Sequence, residues 1–270
     1  MTASSWPRNM AHRGASALAP EHTIEAFARA VADGADGLEL DLQRSRDGEV
    51  IVLHDSSVDR TTDGHGRANE IDLRSLRALD AGAQFRDEQR QSIWRGRGVR
   101  IPTLEEVLQT FPSLWLSIDL KQGDPITEAR TIELLRKYDR SANTILGAED
   151  AAAARRLRLA APEFHSFFSR AEAWDFFWRL TSRVWWGYEP PARSLQIPTR
   201  HRLWSLERKS LIEAAHRLEL RVSYWTVNDP VQMLRLCDLG ADGLITDRPD
   251  ALAALLADRT RRGRVVEAGG

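Results

Sequence analysis

A single cysteine, Cys237, occurs in the 270 residues. No disulfide can form within the chain, and Cys237 is expected as a small core residue of a predicted helix over Val231–Leu239. Nowhere does an apolar run approach the roughly 18 residues of a membrane span. None precedes His12 either, so neither stable membrane insertion nor a secretory leader is expected, and a soluble cytoplasmic protein is the simplest reading. An excess of charge is also missing. Thirty-eight Lys and Arg against 39 Asp and Glu leave a net charge of −1, which excludes bulk electrostatic attraction to nucleic acid. The local pairs Arg155-Arg156 and Arg261-Arg262 read as solvated helix faces or tail. What is present, 42% apolar and 29% charged residues, is globular and long enough for one large α/β domain with a buried core.

The chemistry is concentrated at the front of the chain. His12-Arg13-Gly14, Glu39-Leu40-Asp41 and His54-Asp55 each fall at or beside the end of a predicted strand. Two imidazoles, two carboxylates and a guanidinium supply an acid, a base, a clamp for a divalent metal and an anion anchor, the needs of phosphate-ester cleavage. Leu38, Leu40 and Leu42 alternate with Glu39, Asp41 and Gln43, a period of two. Val50–Leu53 is a second β-rich run, and Asp47-Gly48 between them favours a two-residue type I′ hairpin. That turn places Asp41 directly opposite His54, with Glu39 on the same face. A solvent-facing polar strand is the competing reading.

The remainder reads as strand and helix in alternation. Strands are predicted at Arg8–His12, Gly37–Leu42, Trp115–Leu120, Thr144–Gly147, Phe164–Phe168, Ser194–Ile197, Arg221–Thr226 and Gly243–Ile245. Thr103 with Glu106 forms a capping box, Asp229-Pro230 opens a helix, and the last helix begins near Pro249. Residues 55–100 break the rhythm, with several glycines, many charges and one short helix near Leu73–Leu79, and read as an insertion rather than a second domain. Eight β–α units in a chain near the typical ~250 residues predict a closed (β/α)8 TIM barrel with a small insertion after the second strand. The active site of such a barrel lies at the C-terminal strand ends, where His12, Glu39, Asp41, Asp119, Lys121 and Trp225 fall.

Taken in order, Ala11-His12-Arg13-Gly14, Pro20-Glu21-His22-Thr23, Gly37–Asp41, His54-Asp55 with Arg60-Thr61-Thr62, Ile101–Glu106, Trp225–Asn228 and Gly240–Asp247 closely resemble the glycerophosphodiester phosphodiesterases, from about residue 8 to 257. The resemblance implies a (β/α)8 barrel with a small inserted subdomain, and metal-dependent hydrolysis of glycerophosphodiesters to glycerol 3-phosphate and an alcohol. Two departures stand out. His22 replaces the family's usual Asn, and Asp119 replaces the usual Glu before the Lys at 121.

The resemblance implies that Glu39, Asp41 and Asp119 bind one divalent ion. Three carboxylates suit Mg²⁺ or Ca²⁺; on the residues alone Asp119 reads equally as an ion-pair partner of Lys121, and the resemblance favours the metal. His12 and His54 are the expected acid–base pair, with water or the substrate's own 2-hydroxyl as nucleophile. Arg13 and Lys121 are expected to hold phosphate. Glu21 is expected in the metal's outer shell or on glycerol hydroxyls, and Trp225 against the substrate or in the core. His65, His165, His201 and His216 read as surface or core residues. Trp174, Phe176, Phe177, Trp178, Trp185 and Trp186 read as a helix packed on the barrel. Alternatively, this 174–186 tract forms an apolar lip for lipid-bearing substrates such as lysophospholipids, or for peripheral membrane contact. The competing functions are a lysophospholipase D, a phospholipase C-like lyase, and a non-catalytic phosphodiester-binding protein.

Overall fold

The computed structural model describes residues 6–121, 123–201 and 204–268, with side chains as far as 261. The side chain of Arg262, half of one predicted basic pair, lies outside the described residues. Strands β1 (Asn9–His12), β2 (Gly37–Arg44), β3 (Val50–Val52), β4 (Trp115–Leu120), β5 (Thr144–Gly147), β6 (Ser194–Pro198), β7 (Arg200–His201), β8 (Trp204–Ser205), β9 (Arg221–Trp225) and β10 (Gly243–Thr246) occur in that order. The main sheet runs β5-β4-β2-β1-β10-β9-β6, with β3 added to β2. Every pairing along that path is parallel. Parallel bridges Ile145↔His165 and Phe167↔Ser194 close the ring between β5 and β6. The predicted strand Phe164–Phe168 therefore occupies the fifth place in the barrel, but as two bridges rather than a continuous strand. The fold is a (β/α)8 barrel.

Helices α1 (Ile24–Ala32), α2 (Leu73–Leu76), α3 (Leu104–Thr110), α4 (Pro125–Lys137), α5 (Ala151–Ala160), α6 (Arg170–Ser182), α7 (Lys209–Arg217), α8 (Pro230–Leu239) and α9 (Pro249–Ala268) follow the chain. All except α2 form the outer ring. Their starts obey local chemistry. Thr103 and Glu106 form the capping box of α3, and Asp229 caps α8 ahead of Pro230; such caps satisfy amides that the first helical turn leaves unbonded.

Period-two alternation divides the two faces of β2. Leu38, Leu40 and Leu42 point outward into a core shared with Phe27, Leu104, Leu108 and Leu116, leaving Glu39, Asp41 and Gln43 for the lumen. Every residue of β2 through Gln43 is buried, as expected of a parallel strand covered on both faces. The lumen floor is closed by Met10, Trp115, Ile145, Phe167 and Ile245, with Trp6 packed against them. Gly37 belongs to this packing, because a Cβ there would lie 2.8 Å from the Trp115 Cβ. In the segment after β3, Val58, Ala68, Leu76, Ala81, Val99 and Ile101 form a small cluster completed by Ile51 and Leu53. That segment thus leans on the barrel through the β3 side chains.

Candidate active site

Parallel register, rather than the hairpin, gathers the acids. β1 pairs His12 with Glu39, while β4 pairs Ser117 with Glu39 and Asp119 with Asp41. Paired residues on adjacent strands face the same side, so His12, Glu39 and Ser117 form one inward layer, with Asp41 and Asp119 the next toward the strand ends.

The predicted hairpin is displaced by one residue. Leu42 pairs with Val52, Gln43 with Ile51 and Arg44 with Val50. Within the turn only Gly48 is left-handed (φ +92°), and its N–H donates to the Ser45 carbonyl at 3.1 Å. A type I turn followed by a left-handed glycine replaces the expected type I′ turn, which needs two positive φ values. The Ser45 side chain stabilises the longer loop by donating to Asp47 Oδ1 (2.7 Å) and accepting from the Glu49 N–H (2.9 Å). Asp41 consequently faces Leu53, whose N–H donates to the Asp41 carbonyl at 3.0 Å. His54 still lines the cavity that holds His12, Glu39, Asp41 and Asp119, and Gln43 Nε2 anchors the His54 carbonyl at 3.0 Å.

Each histidine rests on its own carboxylate. His12 Nδ1 lies 2.7 Å from Asp247 Oδ1, and His54 Nδ1 lies 2.6 Å from Asp55 Oδ1. Burial alone would raise Asp247, but the bonds from His12, Asn228 and Ser16 hold its carboxyl below the ordinary range. Hydrogen bonds from Arg60, with one from His54, hold Asp55 down to about 2. Both carboxylates are therefore ionised acceptors, so each imidazole must donate from Nδ1. Nε2 is left as the nitrogen available for proton exchange. Asn228 Nδ2 and Ser16 Oγ hold Asp247 at 2.6 and 2.8 Å, and Arg60 bridges Asp55 to Glu21.

The cations interleave with the acids. Arg13 (φ +58°) turns its N–H onto Glu39 Oε2 at 3.1 Å and donates from Nη1 to Glu21 Oε1 at 3.0 Å. Lys121 Nζ lies 2.6 Å from Asp119 Oδ2 and 2.9 Å from Asp41 Oδ1, so the ion-pair reading of Asp119 holds. His22 is buried beneath the wall and its Nε2 lies 2.8 Å from Asp41 Oδ2. Desolvation lowers the His22 pKa. For Asp41, burial is outweighed by the His22 hydrogen bond and the Lys121 and Arg13 charges, which keep it ionised; neutral His22 is thus the donor. Burial and the charge of Asp41 raise Glu39 well above the usual carboxylate range. Burial also lifts Asp119 to about 6, against the pull of Lys121.

The cavity measures about 700 Å³ and includes Arg13, Lys121 and Trp225 in its wall. Glu21 is not among its lining residues and is bonded instead to Arg13 and Arg60. His201, expected at the surface or in the core, lines the cavity with its ring centroid 4.5 Å from that of Trp174. His165 meets Trp6 edge-on and Trp115 at a tilt at the barrel floor. Sequence reasoning assigned no role to Asp55, Asp247, Asn228, Ser16 or Arg60. Asp247 and Asn228 nonetheless follow strand ends at the same rim, the signal that flagged the others.

Among the described residues, no group of three or more His, Cys, Asp or Glu side chains is drawn together as a metal cage, and Lys121 lies between Asp41 and Asp119. The donor set nevertheless fits a hard cation. Asp119 Oδ1 is buried without a hydrogen-bond partner, and the three acids on β2 and β4 offer oxygen ligands of the kind Mg²⁺ or Ca²⁺ takes.

Two carboxylate-backed histidines, an acidic wall and two cations at the C-terminal mouth of a (β/α)8 barrel form a site suited to phosphate-ester chemistry. Residues 12–251 match the model of the glycerophosphoryl diester phosphodiesterase family, and the chain belongs to it. The chain is 32% identical over 252 residues to a glycerophosphodiester phosphodiesterase of Caldanaerobacter subterraneus subsp. tengcongensis, covering 92% of this chain and 96% of that one. It is 28% identical to the mouse (Mus musculus) protein lysophospholipase D GDPD3, over 91% of this chain and 80% of that protein. The crystal structure of a glycerophosphodiester phosphodiesterase from Agrobacterium tumefaciens superposes with a TM-score of 0.75 at 27% identity, covering 92% and 99% of the two chains.

Proposed function

We propose that the protein hydrolyses glycerophosphodiesters to glycerol 3-phosphate and an alcohol by metal-dependent, histidine-based general acid–base catalysis. Family membership supports the phosphodiesterase activity. One observation carries the mechanism: His12 and His54, each with Nδ1 on an ionised carboxylate, line one cavity with Arg13 and Lys121. One Nε2 accepts the proton of the attacking oxygen, and the other returns a proton to the departing alkoxide. Asp247 and Asp55 fix the ring orientations and favour the imidazolium that forms. Arg13 and Lys121 hold the phosphoryl group against the acidic wall. Glu39, Asp41 and Asp119 would hold the divalent ion, which when bound neutralises charge on phosphoryl oxygen.

The test is incubation with glycerophosphocholine and Mg²⁺, Ca²⁺ or Mn²⁺, with and without chelator, assaying glycerol 3-phosphate and choline. Equal release of both products, abolished by chelator, is expected. Ligand binding without turnover under any metal would instead identify a binding protein, and an accumulating cyclic phosphate would identify a lyase.

A further inference from the structure

We infer that the catalytic cavity continues into a hydrocarbon-binding arm between α6 and the residues Pro198, Trp204 and Leu206. This arm takes the single acyl or alkyl chain of a monoacyl glycerophosphodiester. The inference rests on the phosphodiesterase reading of the polar end.

The cavity has two chemically distinct ends. The groups of the phosphodiester site come from the ends of β1, β2 and β4 and the loop after β3, whereas the opposite end is walled mainly by Trp174, Phe177 and Trp178 of α6 facing Pro198, Trp204 and Leu206, with Glu149, Arg170 and Arg208 also in the lining. Residues 174, 177, 178 and 181 of α6 all line it, the i, i+3, i+4, i+7 spacing of one helix face. A different residue, Phe176, packs into the barrel core with Phe168 and Leu195. Phe177 also touches that core, but Trp174 and Trp178 take no part in it, so α6 carries apolar surface that packing on the barrel does not require. Trp174, Trp178 and Trp204 remain 48%, 58% and 62% exposed while lining the cavity. Indole surface left partly in water gains from contact with a hydrocarbon chain. A deacylated, polar glycerophosphodiester gives no such contact. Continuity with the phosphodiester site selects the occupant: the chain must be attached to the molecule whose phosphate lies between Arg13 and Lys121. In the reaction, the oxygen of water bonds to phosphorus and the bond from phosphorus to the headgroup oxygen breaks. One proton of the water passes to the headgroup alkoxide, leaving an acylglycerol phosphate and the free alcohol.

The test compares kcat/KM for glycerophosphocholine with that for 1-acyl lysophosphatidylcholines of six to twelve acyl carbons, each below its critical micelle concentration. A rise of about three- to fourfold per methylene until the arm is filled is expected, the increment for full hydrocarbon burial. Trp174→Ala with Trp178→Ala, and separately the space-filling Thr181→Trp, should cut the long-chain kcat/KM at least tenfold and leave glycerophosphocholine turnover unchanged. Calorimetric binding of decylphosphocholine and hexylphosphocholine to His12→Ala protein reads the arm without catalysis, and should be tighter for the longer chain. Turnover of glycerophosphocholine with chain-length independence in both assays overturns the arm but not the phosphodiesterase reading. Chain-length-dependent binding with no turnover of any substrate does the reverse. Cosedimentation with phosphatidylcholine vesicles, without preference among monomeric chains, would overturn the arm in favour of a bilayer-facing surface.

Discussion

His12 Nδ1 and Asp247 Oδ1 lie 2.7 Å apart although 235 positions separate them in the chain. The pair joins the first barrel strand to the loop after the last, so ring closure itself assembles this half of the site. Asp247→Asn keeps an acceptor near Nδ1 but removes the charge that favours imidazolium. A fall in kcat of roughly 10²-fold, within the general acid–base range, with little change in KM, is expected from steady-state assay of glycerophosphocholine. Unchanged kcat would deny Asp247 its orienting role.

Metal dependence should follow the acidic wall. Glu39→Ala or Asp119→Ala should raise the metal concentration giving half-maximal activity by roughly tenfold or more, measured from activation curves. Ser117→Ala, a neighbour in the same register, should not. Activity indifferent to chelator in the native protein would remove the ion from the account.

Arg60 links acid stability to the site. Burial would raise Glu21, yet the Arg60 hydrogen bonds and the Arg13 charge bring it down to about 2, and Arg60 bonding does the same for Asp55. Folded values below the ordinary 4.5 and 3.8 give stabilisation that is present above those values and lost as pH falls toward 2. In urea titrations, Arg60→Met should be less stable than native protein at pH 7, with the gap narrowing progressively at pH 4 and 2.5. A gap independent of pH would contradict the linkage.

Gly37→Ala tests the barrel floor. Its Cβ would sit 2.8 Å from both the Cβ and the carbonyl oxygen of Trp115, and neither can yield without moving β4. A loss of about 1–3 kcal/mol, the usual cost of overpacking, is expected in the urea midpoint analysis. No loss would mean that β2 and β4 separate freely at this level.

The positions of all eight barrel strands were legible because alternating and continuous apolar runs record burial directly. The fifth was not legible as a pair of bridges, since Phe164–Phe168 carries the same β-rich composition as a full strand. The hairpin register escaped because Ser45 captures both Asp47 and Glu49, a local side-chain competition that the Asp-Gly pair does not reveal. The acids and histidines were readable as residue types at strand ends, but their partners were not. Asp247 meets His12 only when the ring closes, and Arg60 meets Glu21 only when the segment after β3 folds across the mouth. The place of His201 was not readable for a similar reason: the short β7–β8 pairing brings it against Trp174, a tertiary contact with no signature in spacing.

Glycerol 3-phosphate release from glycerophosphocholine by His12→Ala and His54→Ala protein decides whether the two imidazoles carry the chemistry. Each variant should bind substrate and lose about 10²–10⁴ in kcat, and the double variant should lose little more than the worse single one, because the two imidazoles act in one proton circuit. Near-native turnover by either single variant would contradict the account.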